Sequence, residues 1–181
     1  IFLLSLAVLL LEVSYTRSFS YKLVYFFTYL IIGISLLGLG AGGVLVAMVP
    51  RLRRAGLAVI PLCALVGGVG VLLGYIAVAR IQLNAFLLVD AITNGRNDVI
   101  LVEGAKLLAI CFSLFVPYLA AGVGVAVIFA TGASAINRLY FADLLGAGLA
   151  CALAVPLMAT ISPPGCVFLG GAAVALTGLR L

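Results

Sequence analysis

The chain has no histidine and very little charge: only 8% of its 181 residues are Asp, Glu, Lys or Arg. A soluble globular domain carries roughly 25%, so a surface assembled from this sequence could not stay dispersed in water. Without histidine there is no imidazole general base and no His-based metal site. Cysteine is scarce and scattered. Cys63, Cys111, Cys151 and Cys166 lie far apart, each inside or at the edge of an apolar stretch, and none has C-x-x-C spacing. That arrangement supports neither a zinc nor a redox motif and reads as small buried residues. No polar stretch is long enough to fold as a soluble domain. No positively charged leader or cleavage site opens the sequence. It starts at Ile1 and stops at Leu181, both in apolar surroundings, and we expect it to be part of a longer polypeptide.

What the chain does have is long apolar runs. Hydrophobic residues make up 66% of it, and mean hydropathy is +1.42. Runs fall at residues 1–14, 24–49, 57–79, 107–130, 141–161 and 166–181. Bilayer hydrocarbon about 30 Å thick needs roughly 20 apolar residues per helical span. The expected fold is therefore all-α: one polytopic transmembrane helical bundle of about six spans, the first and last incomplete.

The seams between runs carry the polar residues. Tyr15 to Lys22 separates the first two runs, and Pro50 with Arg51, Arg53 and Arg54 ends the second. The longest connection, at about 81–104, contains the turn signal Asn94-Gly95-Arg96-Asn97-Asp98. Its apolar residues 85–89 are too few to span and suit the interface. Pro117 falls inside the fourth run, where a kink is tolerated. Ser162-Pro163-Pro164-Gly165 predicts a sharp turn.

Net charge is +5. The basic residues sit at the ends of runs, which points to anchoring in a lipid bilayer rather than to nucleic acid. Arg51, Arg53, Arg54, Arg138 and Arg180 fall on one side, and Arg17, Lys22, Arg80, Arg96 and Lys106 on the other, five against five. Clustering at Arg51–Arg54 decides for that loop as cytoplasmic. The three acids of the long opposite loop offset its three bases.

Glycine is abundant, at 21 residues. In lipid, helices associate through close packing and hydrogen bonds, and small residues let backbones approach. Gly38 with Gly42 and Gly70 with Gly74 form GxxxG pairs, and Gly122 with Ala126 a small-xxx-small step. They predict a tight bundle with few wide cavities. Residues 38–43 also satisfy G-x-G-x-x-G. The dinucleotide fingerprint needs a preceding strand and an acid roughly 20 residues on. Here the motif lies inside one apolar run and the acid is missing, so helix packing is the expected role.

Two acids call for an explanation, because charge inside a membrane is costly and often functional. Glu12 lies five residues before Arg17, and Asp143 five after Arg138. Both are expected near an interface, paired with the nearby Arg and tying helices together. For Asp143, placement in a first helical turn is a further stabilising factor. The alternative is a carboxylate that binds a proton or cation on an internal path. The aromatic cluster Tyr15, Phe19, Tyr21, Tyr25, Phe26, Phe27 and Tyr29 suggests the headgroup level.

Two segments resemble a known family when taken together. The first is Leu11-Glu12-Val13-Ser14-Tyr15-Thr16-Arg17, followed by Phe27-Thr28-Tyr29 and Leu36-Leu37-Gly38-Leu39-Gly40-Ala41-Gly42-Gly43. The second is Asn137-Arg138-Leu139-Tyr140-Phe141-Ala142-Asp143-Leu144-Leu145-Gly146-Ala147. They resemble the membrane portion of multi-span bacterial spermidine-synthase-like proteins, in which a span opens with Arg-x-Tyr-x-x-Asp-x-x-Gly. Arg138, Tyr140, Asp143 and Gly146 match that pattern. The resemblance implies a bacterial inner membrane and a soluble Rossmann-like domain in the same polypeptide. That domain is similar to polyamine aminopropyltransferases, which move an aminopropyl group from decarboxylated S-adenosylmethionine to an amine. Residues 1–181 supply neither its cofactor loop nor its amine-binding carboxylates, so no catalytic residue, cofactor or metal is assigned to them. The expected function is a membrane anchor for the transferase. Two alternatives stand beside it. One is a non-catalytic subunit packed against a larger membrane complex. The other is half of a small-solute transporter, since six spans match the half-unit of the major facilitator fold. Residues 43–54 resemble that fold's basic loop but lack its Asp.

Overall fold

Helix ends fall where the sequence supplies breakers or caps. The computed structural model describes residues 1–22 and 26–179, and the described residues contain helices and no strand. The elements are α1 (Phe2–Lys22), α2 (Phe26–Met48), α3 (Pro50–Ala55), α4 (Ile60–Arg80), α5 (Ala85–Asn94), α6 (Asn97–Thr131), α7 (Ile136–Ile161) and α8 (Pro163–Leu179). Pro50 sits in the first turn of α3, where its missing N–H costs nothing. The Asn84 side chain accepts from Leu87 N at 3.2 Å and caps α5. Gly95 at φ +67° ends α5, and Arg96 N closes back on Ala91 O at 2.9 Å. That left-handed cap is why the turn needs glycine. The predicted Ser162–Gly165 turn is sharper still: Ser162 alone, at φ 73°, separates α7 from α8.

Several helices run past the ends of their apolar runs. α1 continues through the polar seam to Lys22, and α6 begins at Asn97, ten residues before the run starts. Hydropathy marks where a helix leaves hydrocarbon; it does not mark where the helix stops. At about 1.5 Å per residue, the 35-residue α6 is about 52 Å long, well beyond the hydrocarbon thickness. Its polar first turns project outward. There Glu103 accepts from Asn84 N at 3.1 Å and from Lys106 Nζ at 2.6 Å.

Four segments are long and apolar enough to cross a membrane: Tyr29–Met48, Pro50–Arg80, Asn97–Thr131 and Ala133–Ile161. This is fewer than the six expected. α8 offers only the shorter apolar stretch Pro163–Gly178. The second half of α1 carries Glu12, Ser14, Thr16, Arg17, Ser18 and Ser20.

α6 packs between α2 and α4, α4 packs on α8, α8 on α1, and α1 returns to α2. These five helices close a ring, and α7 lies outside it against α1 and α8. The core is shared by Leu11, Tyr15, Ile31, Val71, Leu114, Tyr118 and Val167. The outer surface is the reverse of a soluble protein's. Leu62, Leu65 and Leu73 of α4, Leu108 and Phe112 of α6, and Phe141 and Leu145 of α7 are all exposed. An apolar exterior this continuous belongs in lipid.

The glycines set the spacing. A methyl group on Gly42 would sit 2.5 Å from Val123 N, and one on Gly122 2.5 Å from Leu39 O. At that level the backbones of α2 and α6 touch. A methyl on Gly38 would meet Tyr118 Cβ at 2.7 Å. Gly70 receives the Pro117 ring, and Gly74 faces Ser113 O. On α7 the buried residues Gly146, Ala150 and Ala154 form one stripe at four-residue spacing. Gly146 lies directly on the Phe2 carbonyl of α1. Gly40 and Gly43, the other glycines of the G-x-G-x-x-G sequence, face open space.

Candidate functional site

The first candidate lies at mid-height in the bundle. It includes Glu12 of α1. Glu12 sits halfway along α1, beside Ser35, which is halfway along α2. The Ser35 hydroxyl donates to Ile32 O at 2.8 Å. One turn on, Tyr15 is buried and donates to Val71 O of α4 at 2.8 Å. Tyr118 of α6 faces the same interior, within electrostatic reach of Tyr15 and Glu12. Its hydroxyl is fully buried and makes no hydrogen bond. Ser14 Oγ is likewise buried without a hydrogen bond, with the Cys166 thiol of α8 beside it.

Tyr15 therefore corrects the expectation of a headgroup aromatic, since its phenol finds its partner in the core instead. Tyr29 is 61% exposed. The expectations for Tyr25 and Arg180, and for the side chains of Phe19, Tyr21, Lys22, Phe26 and Phe27, fall outside the described residues. Cys166 is buried as expected, whereas Cys151 faces outward on α7.

Asp143 is also displaced from its expected position. Because α7 begins at Ile136, Asp143 lies about two turns inside the helix, beyond the reach of the N-terminal dipole. Its carboxylate accepts from Ser5 Oγ of α1. The ion pairs among the described residues are Arg96–Asp90 at 2.5 Å and Lys106–Glu103 at 2.6 Å. Both belong to the α5–α6 region. Arg138 is exposed. Asp143 thus meets a hydroxyl from the facing helix, and the expected Arg138–Asp143 pair is not among the ion pairs of the described residues.

The second candidate is a cleft of about 1150 Å³ at the end of the bundle opposite the Arg51–Arg54 loop. No feature of the sequence pointed to it. Here α1, α4 and α7 end, α8 begins, and the helices splay. One wall is the α1 face bearing Thr16, Arg17 and Ser20. The facing wall is apolar, from Val155, Met158 and Ala159 of α7 and the Pro163-Pro164 step of α8. Tyr75 and Val78 of α4 complete it.

Neither a protein-family model, nor a curated protein, nor a solved structure matches this chain.

The sequence singled out Glu12, Arg17, Arg138 and Asp143. The fold places Glu12 in the mid-bundle cluster, Arg17 in the cleft, Asp143 on the α1–α7 seam and Arg138 on the surface. It adds Ser35, Tyr118 and Ser14. Their only signal in the sequence was a lone hydroxyl inside an apolar run.

Proposed function

We propose that this chain is the membrane-embedded domain of a spermidine-synthase-like protein, a six-span bundle anchoring a transferase domain carried elsewhere in the polypeptide. The observation that supports this is where the two resembling segments lie. The α2 glycines and the Arg138–Gly146 segment of α7 lie more than ninety residues apart in sequence, yet α2 and α7 both pack on α1. Asp143 and Gly146 touch α1 directly, at Ser5 and Phe2. Gly38, Gly42, Asp143 and Gly146, which belong to the segments that carry the resemblance, lie at helix–helix contacts of this bundle. In this reading α1 and α8 complete the six spans as full members of the ring. The Arg51–Arg54 loop faces the cytoplasm of a bacterial inner membrane, where a soluble domain would find its substrates.

Intact mass and peptide mapping of the native polypeptide test the reading. A species far heavier than 18.6 kDa, with peptides from a soluble α/β domain, is the expected result. A species close to that mass would leave no room for a transferase, and would favour a subunit of a larger membrane complex instead.

A further inference from the structure

The cleft between α1 and α7 has two chemically different walls. Thr16, Arg17 and Ser20 lie within about one helical turn on one face of α1, and Arg17 is the charged residue among the described residues that line the cleft. Opposite them, Val155, Met158 and Ala159 offer only carbon and sulfur to a ligand. The volume of about 1150 Å³ exceeds the roughly 300–1,000 Å³ of ordinary small-molecule sites. Its position along the bundle matters as much as its size. The polar wall occupies the last turns of α1 and the apolar wall the last turns of α7.

From this geometry we infer that the cleft binds an anionic phospholipid of the surrounding bilayer, its phosphate on Arg17, Thr16 and Ser20 and an acyl chain along Val155, Met158 and Ala159. A guanidinium with neighbouring hydroxyls matches phosphate in charge and in donor geometry. The apolar wall accounts for a second portion of the ligand that a free phosphate lacks. The inference requires only that the chain be embedded in a bilayer. It stands or falls independently of the transferase reading.

The test begins with the unaltered protein in nanodiscs containing phosphatidylglycerol with a diazirine near the middle of one acyl chain. Crosslinks are expected to concentrate on Val155, Met158 and Ala159. Crosslinks spread evenly over the exposed faces of α4, α6 and α7 would overturn the inference. Native mass spectrometry of the detergent-purified protein then measures retained lipid. Phosphatidylglycerol is expected to be retained in preference to phosphatidylethanolamine. Arg17→Gln should weaken retention about tenfold, the loss of one charge-assisted contact. Ala159→Trp, which fills the exposed apolar wall without touching the charge, should abolish it with helicity unchanged. Equal retention of both lipids, retention unaltered by Ala159→Trp, or displacement by millimolar inorganic phosphate would each refute a phospholipid site.

Discussion

Gly42 and Gly40 lie two residues apart on α2, yet replacing each with alanine should have opposite effects. At Gly42 the added methyl lands 2.5 Å from Val123 N. Optimal carbon contacts lie at about 3.5–4.0 Å, so α2 must retreat from α6 by about 1 Å. The obstructing atoms are backbone, and no side-chain rotation can relieve the overlap. Overpacking of this kind costs about 1–3 kcal/mol. At Gly40 nothing lies within 4 Å of the added methyl, and alanine gains up to about 1 kcal/mol in helix propensity. The propensity gain is common to both sites, so the difference between the two variants isolates the steric cost at about 1–3 kcal/mol. Unfolding in mixed micelles titrated with SDS, followed by helicity, would measure it. Adding Gly122→Ala to Gly42→Ala should cost less than the sum, because both changes separate the same pair of helices. Equal stability of Gly42→Ala and Gly40→Ala would refute direct backbone contact between α2 and α6.

Three further outcomes follow from the hydrogen bonds. Asp143→Ala, which removes the carboxylate bonded to Ser5, should cost roughly 1–3 kcal/mol, while Asp143→Asn keeps an acceptor and most of the stability; thermal unfolding in detergent distinguishes them. Tyr15→Phe removes the bond to Val71 O and should cost about 0.5–1.5 kcal/mol. Tyr118→Phe removes a hydroxyl without a partner and should leave stability unchanged or raised; a loss comparable to that of Tyr15→Phe would show that its hydroxyl is bonded in the membrane. Glu12, at mid-height, should be modified by dicyclohexylcarbodiimide, which partitions into hydrocarbon, while a water-soluble carbodiimide reaches the exposed Asp90 and spares Glu12. Peptide mass mapping after each reagent gives the answer, and labelling of Glu12 by the soluble reagent would place it in contact with water.

The class of fold was legible because hydropathy is a sum over many residues and tolerates local errors. Helix ends were less legible. The 15–22 seam looks like a loop by polarity, but its backbone bonds are those of a helix, and polarity does not decide that. The same confusion put Asp143 in a first turn. GxxxG spacing correctly marked Gly38 and Gly42 as contact residues, because small residues four apart make one smooth face. It could not name the partner, since that face is equally smooth toward any helix. Tyr118 and Ser35 escaped notice because a hydroxyl in an apolar run carries no periodic signal. Its importance comes from what faces it. The cleft is invisible in sequence for the same reason, being assembled from the ends of four helices.

The closed ring also constrains the order in which the protein can assemble. Among the described helices α1 comes first in sequence, yet α7 and α8, the helices it packs on most extensively, are the furthest from it along the chain. The bond from Ser5 to Asp143 spans 138 residues. Until those last helices enter the membrane, Ser5 and the buried Ser14 have no α7 or α8 beside them. Pairing of α2, α4 and α6 can proceed first, because those contacts are closer in sequence. The nascent bundle is therefore an open arc during most of its synthesis. A chain interrupted after α6 would keep its central helices paired and leave its first helix without its main seat.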